Sequence, residues 1–277
     1  MQLILISGLS GSGKSVALKA LEDAGYFAVD NLPATLVSQL LEWVSADKVA
    51  VSVDARSAST LESLPATLAD LTQRGIDCRV VFLEAGNASL TRRFSESRRP
   101  HPLADRFNGI DACIAEERRL LAGIAELAHR LDTSEVAPNT LRGWIKDWLK
   151  LDRGRITLAF ESFGFKHGIP SDADFVFDVR FLPNPFYDPA LKALTGNDEP
   201  VVRFLQEDLN VNRLIDDVAS FILRWLPSFI HDNRNAITIA IGCTGGQHRS
   251  VYVVNQLAER FGSNQQVLVR HRELGTP

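Results

Sequence analysis

Short apolar runs alternate with longer amphipathic segments along the first half of the chain. Runs of branched and aromatic residues fall at 2–7, 26–30, 49–54, 79–84 and 130–133. Their length and Val, Ile, Leu and Phe content predict β-strands. Between them, residues 15–23, 33–44, 60–74, 89–97, 111–128 and 139–150 carry apolar positions at helical spacing. Strand and helix in regular alternation predict a parallel sheet with helices on both faces.

The pattern is interrupted at Leu151-Asp152-Arg153-Gly154-Arg155, where the last of these helices ends and Gly154 discourages its continuation. This segment is expected to be a linker between a domain at 1–152 and a second at 153–277. In the second part, strands are predicted at 156–162, 175–181, 237–241 and 267–270, and helices at 200–225 and 247–261. A stretch rich in Pro, Gly and Asn at 184–197 is predicted as a loop. The second domain therefore also reads as α/β. A chain of 277 residues suits two domains of ordinary size.

Composition narrows the function classes. Hydrophobic residues make up 45% and charged residues 23%, the balance of a soluble globular protein. The net charge of −4 gives no whole-chain attraction to nucleic acid or anionic lipid. The three cysteines, Cys78, Cys113 and Cys243, are far apart and form no C-x-x-C pair, which argues against a disulfide framework or a structural zinc site. No apolar stretch is long enough to span a bilayer and the first residues do not read as a targeting signal, so a cytoplasmic location and no membrane partner are expected.

The first chemical motif is Gly8-Leu9-Ser10-Gly11-Ser12-Gly13-Lys14-Ser15, which satisfies G-x-x-x-x-G-K-[ST] in full. It lies between the first predicted strand and the first predicted helix, the context that makes this spelling a P-loop. The glycines let backbone N–H groups converge on phosphate oxygens at a helix N-terminus. Lys14 is then expected at the β- and γ-phosphates and the Ser15 hydroxyl on Mg²⁺. The first domain thus reads as a P-loop kinase-like domain.

Such a site usually has an Asp at the end of a neighbouring strand to help hold the metal. Asp54, at the end of the run 49–54, and Asp30, at the end of 26–30, both qualify, and each could instead cap a helix. Asp54 could also accept N–H groups from a guanine base. The segment 91–102 concentrates Arg92, Arg93, Arg98 and Arg99 before Pro100. An arginine from such a lid can stabilise charge on a transferring phosphoryl group. Arg98 and Arg99, next to the proline, are the favoured pair, with a solvated helix face as the bland alternative.

A second phosphate-shaped motif occurs at Gly242-Cys243-Thr244-Gly245-Gly246-Gln247-His248-Arg249-Ser250. A predicted strand again runs into glycines and then a helix start, and His248 and Arg249 add donors. The spacing Cys243-x₅-Arg249-Ser250 also fits the signature loop of cysteine-dependent phosphatases, with Asp178 or Asp188 as acid. Non-covalent phosphate binding, phosphatase chemistry and a merely structural turn all remain open. Lys166 and His167, after the strand 156–162, and Asp178 could line the same pocket, as could Thr195-Gly196.

Taken together, these residues resemble the RapZ/YvcJ family of bacterial P-loop nucleotide-binding proteins. The resemblance is carried by residues 7–18, 29–33, 160–170, 178–185, 194–196 and 241–252, nearly the full length. It implies a kinase-like N-terminal domain that binds ATP and GTP and hydrolyses both slowly, with GTP contacts at Asp54-Ala55-Arg56-Ser57. It implies a C-terminal domain with a likeness to phosphofructokinase domains. In an enteric relative that domain binds glucosamine-6-phosphate and small RNAs, presents the RNAs to an RNase, and the protein self-associates, so a homo-oligomer is implied. The relative's long basic tail is absent here; Arg270, His271 and Arg272 are the short basic patch that would face RNA. A nucleotide-binding regulator with slow NTPase activity is the leading reading, and a small-molecule kinase or a Cys243 phosphatase are the alternatives.

Overall fold

A computed structural model describes residues 1–55, 63–97, 99–150, 156–231, 234 and 236–274. Two compact units emerge, Met1–Lys146 and Asp147–Pro277. In the first, β1 (Gln2–Gly8), β2 (Phe27–Val29), β3 (Lys48–Ser52), β4 (Asp77–Glu84) and β5 (His129–Asp132) form one parallel sheet of order β2-β3-β1-β4-β5. Its helices are α1 (Lys14–Asp23), α2 (Val37–Trp43), α3 (Leu64–Gln73), α4 (Asn87–Ser97), α5 (Ile110–Leu127) and α6 (Pro138–Leu149). All but the first residue of β1 are buried, as expected of a central parallel strand covered on both faces. Leu3, Leu5, Val51, Phe82 and Leu121 are among the residues of this core.

The second unit holds β6 (Thr157–Gly164), β7 (Phe175–Asp178), β8 (Ala236–Cys243) and β9 (Gln266–His271), again all parallel, in the order β7-β8-β6-β9. Helices α7 (Glu199–Gln206), α8 (Leu209–His231) and α9 (Arg249–Gly262) accompany it. Its core includes Phe160, Ile215, Ile239, Ile241 and Leu257. The winding repeats that of the first four strands of the first unit: strand one flanks strand three, and strands two and four lie outside them. In both sheets the crevice between the two central strands is therefore where successive connections leave in opposite directions, the usual ligand position in an open α/β sheet.

The α/β class expected from the sequence is the class observed, and most element ends agree within two residues. Three departures have local causes. The helix expected at 200–225 is two helices, because the Asp208 carboxylate accepts the backbone N–H groups of Asn210 and Val211 at 2.8 and 3.1 Å and caps a new start. The strand expected at 175–181 stops at Asp178, whose side chain accepts the Arg180 N–H at 2.9 Å and turns the chain. The helix expected from 33 opens with a 3₁₀ turn at Ala34–Leu36. The linker at 151–155 lies outside the described residues. Among the described residues no helix is long and apolar enough to cross a membrane.

Candidate functional site

β1 ends on Gly8, whose φ is +142°, and a Cβ there would stand 2.1 Å from the Leu83 carbonyl oxygen. Only glycine lets the chain leave the sheet at this point. Gly13, at φ +102°, precedes α1 without any side-chain cap, and no acidic residue lies in the first turn. The positive end of the helix is thus left uncompensated by protein groups. The Lys14 ammonium folds back, donating to the carbonyls of Gly8 at 2.7 Å and Leu9 at 3.1 Å. Beside this loop lies a cavity of about 690 Å³, within the usual range for a small-molecule site. Lys14, Ser15, Asp30, Asn31, Asp54 and Arg93 are among its walls.

Both carboxylates expected near the metal reach this cavity. Asp30 is exposed and accepts the Ser52 hydroxyl, which in turn receives the Asn31 N–H at 2.8 Å. Asp54 is buried, with 6% of its surface exposed. Among the described residues no three His, Cys, Asp or Glu side chains converge as a closed metal site. Ala55 is buried, and Arg56, Ser57 and Arg98 lie outside the described residues.

Among the described residues, Arg93 is an arginine that touches the loop. Its guanidinium donates to the Gly11 carbonyl at 3.0 Å and to both the hydroxyl and the carbonyl of Thr133. The Thr133 hydroxyl also lies 2.8 Å from the Ser12 carbonyl. Burial lowers the pKa of Arg93, with neighbouring Arg92 adding to the effect. Arg99 lines the cavity too.

One group at the site escaped the sequence reading. Glu117 is fully buried, and its carboxylate accepts the Ser10 N–H at 2.8 Å and the Ser10 hydroxyl at 2.7 Å. His101 Nε2 lies 3.1 Å from the same carboxylate. The signal was present in α5: Cys113, Ile114, Leu121 and Ile124 form its buried stripe, and Glu117 sits in that stripe where an apolar residue belongs. A charge on a core face needs partners, and here they are the P-loop and a histidine.

In the second unit the loop after β8 has the expected shape. The Cys243 sulfur receives the Gly246 N–H at 3.2 Å and lies 3.2 Å from the Ser250 hydroxyl. Gly246 has φ +77°, and a Cβ on Gly164, at the end of β6, would stand 2.7 Å from the Gly245 backbone. The strand ends therefore close on each other through glycine alone. His248 and Arg249 are buried, and the His248 Nε2 and Arg249 Nε atoms have no hydrogen-bond partner. Such orphans at a helix start are what an absent acceptor would leave behind. The other end of the Arg249 guanidinium donates to the carbonyls of Arg180 at 2.6 Å and Leu182 at 3.0 Å, and so ties the loop after β7 to α9.

Lys166 and His167 are exposed on the 3₁₀ turn after β6, and the Lys166 N–H donates to the Thr244 carbonyl at 3.4 Å. Asp178 is held by Arg180 through bonds of 2.7 to 3.0 Å, which lower its pKa, with Arg249 contributing. An acid held ionised in this way is a poor proton donor, so the phosphatase alternative loses Asp178 as its acid. Gly196 packs on the first turn of α9, its N–H donating to the Gln247 carbonyl at 2.8 Å.

The basic patch expected at the end of the chain does not stand on the surface. Arg270 is 1% exposed, with the carboxylates of Asp172 at 3.4 Å and Glu161 at 3.8 Å. Arg272 lies 3.7 Å from Glu161 and its side chain is also buried. Arg270 lies at the end of β9 and Arg272 just beyond it, and β9 pairs with β6, where Glu161 demands countercharge. His271 Nδ1 lies 2.8 Å from the Ser162 hydroxyl and Nε2 lies 3.2 Å from the Asn255 side-chain oxygen.

Burial lowers the pKa of His271 to about 4, below its ordinary 6.5. It is neutral when folded and takes up a proton on unfolding between those two values. Its stabilising effect is complete above about pH 6.5 and is lost as pH falls toward 4. Unfolding by urea is therefore expected to become easier from pH 7 to pH 4.5, and less steeply so in His271→Gln. An identical pH dependence in the two proteins would contradict this.

Comparison with known proteins finds two family models, one over each part of the chain. The RapZ-like N-terminal domain matches residues 1–153 and the RapZ C-terminal domain matches residues 156–275. A nucleotide-binding protein of Methylobacillus flagellatus is 52% identical over 280 residues, spanning all of both chains. One from Herminiimonas arsenicoxydans is 55% identical over 287 residues, covering 99% of this chain and all of that one. Among solved structures, shikimate kinase from Bacteroides thetaiotaomicron aligns with a TM-score of 0.38 at 14% identity, over 54% of this chain and 98% of that chain. The chain belongs to the RapZ family.

Proposed function

We propose that this protein is a nucleotide-responsive regulator, with ATP or GTP on the P-loop and a phosphorylated metabolite on the loop Cys243–Arg249. The observation that carries the reading is a pair of strand–glycine loop–helix cradles, each at the carboxyl edge of its own parallel sheet. The relatives named above are described as nucleotide-binding proteins, which supports the first half.

The residues present fit the nucleotide. Lys14 would exchange its two loop carbonyls for β- and γ-phosphate oxygens. Ser15, with Asp54 or Asp30, would hold Mg²⁺, whose chemistry there is to neutralise phosphate charge. Arg93, already fixed to Gly11 and Thr133, stiffens the loop from the far side. Slow hydrolysis is the activity expected at this site. In the second unit, His248 and Arg249 would supply donors to a phosphate that also meets the start of α9. Arg270 is interior, which speaks against the short basic run at 270–272 as an RNA-facing patch.

Thermal unfolding in the presence of nucleotides and sugar phosphates tests it. A ligand at a hundred times its dissociation constant adds about 2.7 kcal/mol, a rise of several degrees. Stabilisation by a sugar phosphate should vanish in His248→Ala while that by ATP persists, and Lys14→Ala should do the reverse. Loss of both effects in either variant, or of neither, would refute the two-cradle reading.

A further inference from the structure

The buried carboxylate of Glu117 has a reach that the nucleotide reading does not use. It bridges three donors from two separate segments: the N–H and hydroxyl of Ser10 in the P-loop, and His101 beyond α4. The state of the histidine follows from its other side. His101 Nδ1 accepts the Leu103 N–H at 3.1 Å, so the ring proton lies on Nε2 and points at Glu117. Burial disfavours charge on Glu117. The His101 bond, nearby Lys14 and the Ser10 bonds outweigh it, and its pKa is lowered. The carboxylate is therefore an anion beneath the P-loop, fully enclosed.

His101 stands between Pro100 and Pro102, and these two with Arg99 line the cavity beside Lys14 and Ser15. The prolines restrict the backbone on either side of the ring, so fixing His101 fixes the whole rim. The ring also packs on Phe94, centroids 5.1 Å apart, and Phe94 in turn borders Gly11 of the loop. Loop, helix α5 and rim thus share one anchored carboxylate.

We propose that Glu117 is a positioning residue for nucleotide: through His101 it holds the rim Arg99–Pro102 in register with the P-loop, although it touches no nucleotide. This rests on the reading of the P-loop as the nucleotide site. In Glu117→Gln the shape is kept: the amide oxygen can still take the Ser10 N–H and the His101 Nε2–H, which share one carboxylate oxygen, with the amide N–H₂ facing the Ser10 hydroxyl, but the charge is gone and each bond is weaker. ATP binding measured by calorimetry should weaken about tenfold, the difference between buried bonds to a charged and to a neutral acceptor. His101→Leu should weaken it equally. The pair combined should be no worse than either alone, because both remove the same link. His101→Gln, which can still donate to Glu117, should recover most of the affinity.

Equal and non-additive losses, with rescue by His101→Gln, support the proposal, and a merely structural role would not produce the rescue pattern. Additive losses overturn it. So does unchanged affinity in His101→Leu, which decides the matter if Glu117→Gln fails to fold. Lys14→Ala, run in parallel, separates the two levels. If it abolishes binding while the Glu117 and His101 variants bind normally, the nucleotide site stands and the positioning role falls. If Lys14→Ala binds ATP like the wild type, both fall.

Discussion

Lys14→Ala is expected to abolish detectable nucleotide hydrolysis and to weaken ATP binding severely, with little change in the unfolding midpoint without ligand. Lys14 is half-buried, and among its contacts are two carbonyls of its own loop. Removing the ammonium costs the protein little structure. It removes a cation expected to follow charge on the β- and γ-phosphates as it moves. Deleting a single preorganised donor to developing charge costs roughly 10²- to 10³-fold in rate, and a full positive charge on polyphosphate should be no smaller. Rates of phosphate release from ATP and from GTP, compared with wild type, measure it. Turnover within threefold of wild type would place the chemistry elsewhere.

The second large effect concerns the end of the chain. Arg270→Met is expected to destabilise the protein by about 3–5 kcal/mol, the usual result of removing one member of a buried charge cluster. Glu161 and Asp172 are enclosed around Arg270, and a thioether cannot answer either. Replacing all three by apolar residues would be milder, since the cost lies in the charge left behind rather than in the lost attraction. A urea midpoint equal to that of wild type would show that the carboxylates find other partners. The same variant bears on RNA. If RNA affinity falls while the midpoint holds, Arg270 reaches solvent in a state not seen here.

These two residues mark what can and cannot be read from spelling. Lys14 was legible because the P-loop is local: eight consecutive residues, bounded by a strand and a helix, contain the whole device. The loop 243–250 was legible for the same reason. Arg270 was misread because a short basic run looks the same whether it faces water or two buried carboxylates. Its partners, Glu161 and Asp172, are about a hundred residues away, and nothing near Arg270 announces them. That Arg93 bonds Gly11 and Thr133 could not be read from proximity to Pro100; Arg99 lines the same cavity, and Arg98 lies outside the described residues. Glu117 left a trace, an acid in an apolar stripe, but the trace names no partner.

The sequence by itself determined the α/β class, the approximate ends of nearly every element and the two phosphate-shaped loops. Each of these is written in periodicities and short spacings, and the forces that select them act between near neighbours. Tertiary structure decided which charges are enclosed, that Arg93 meets the P-loop and that Glu117 joins that loop to His101. Those outcomes depend on burial and on donors brought together across 16 to 107 positions. An ionised group gains or loses several kcal/mol according to its surroundings, and only the folded chain supplies the surroundings.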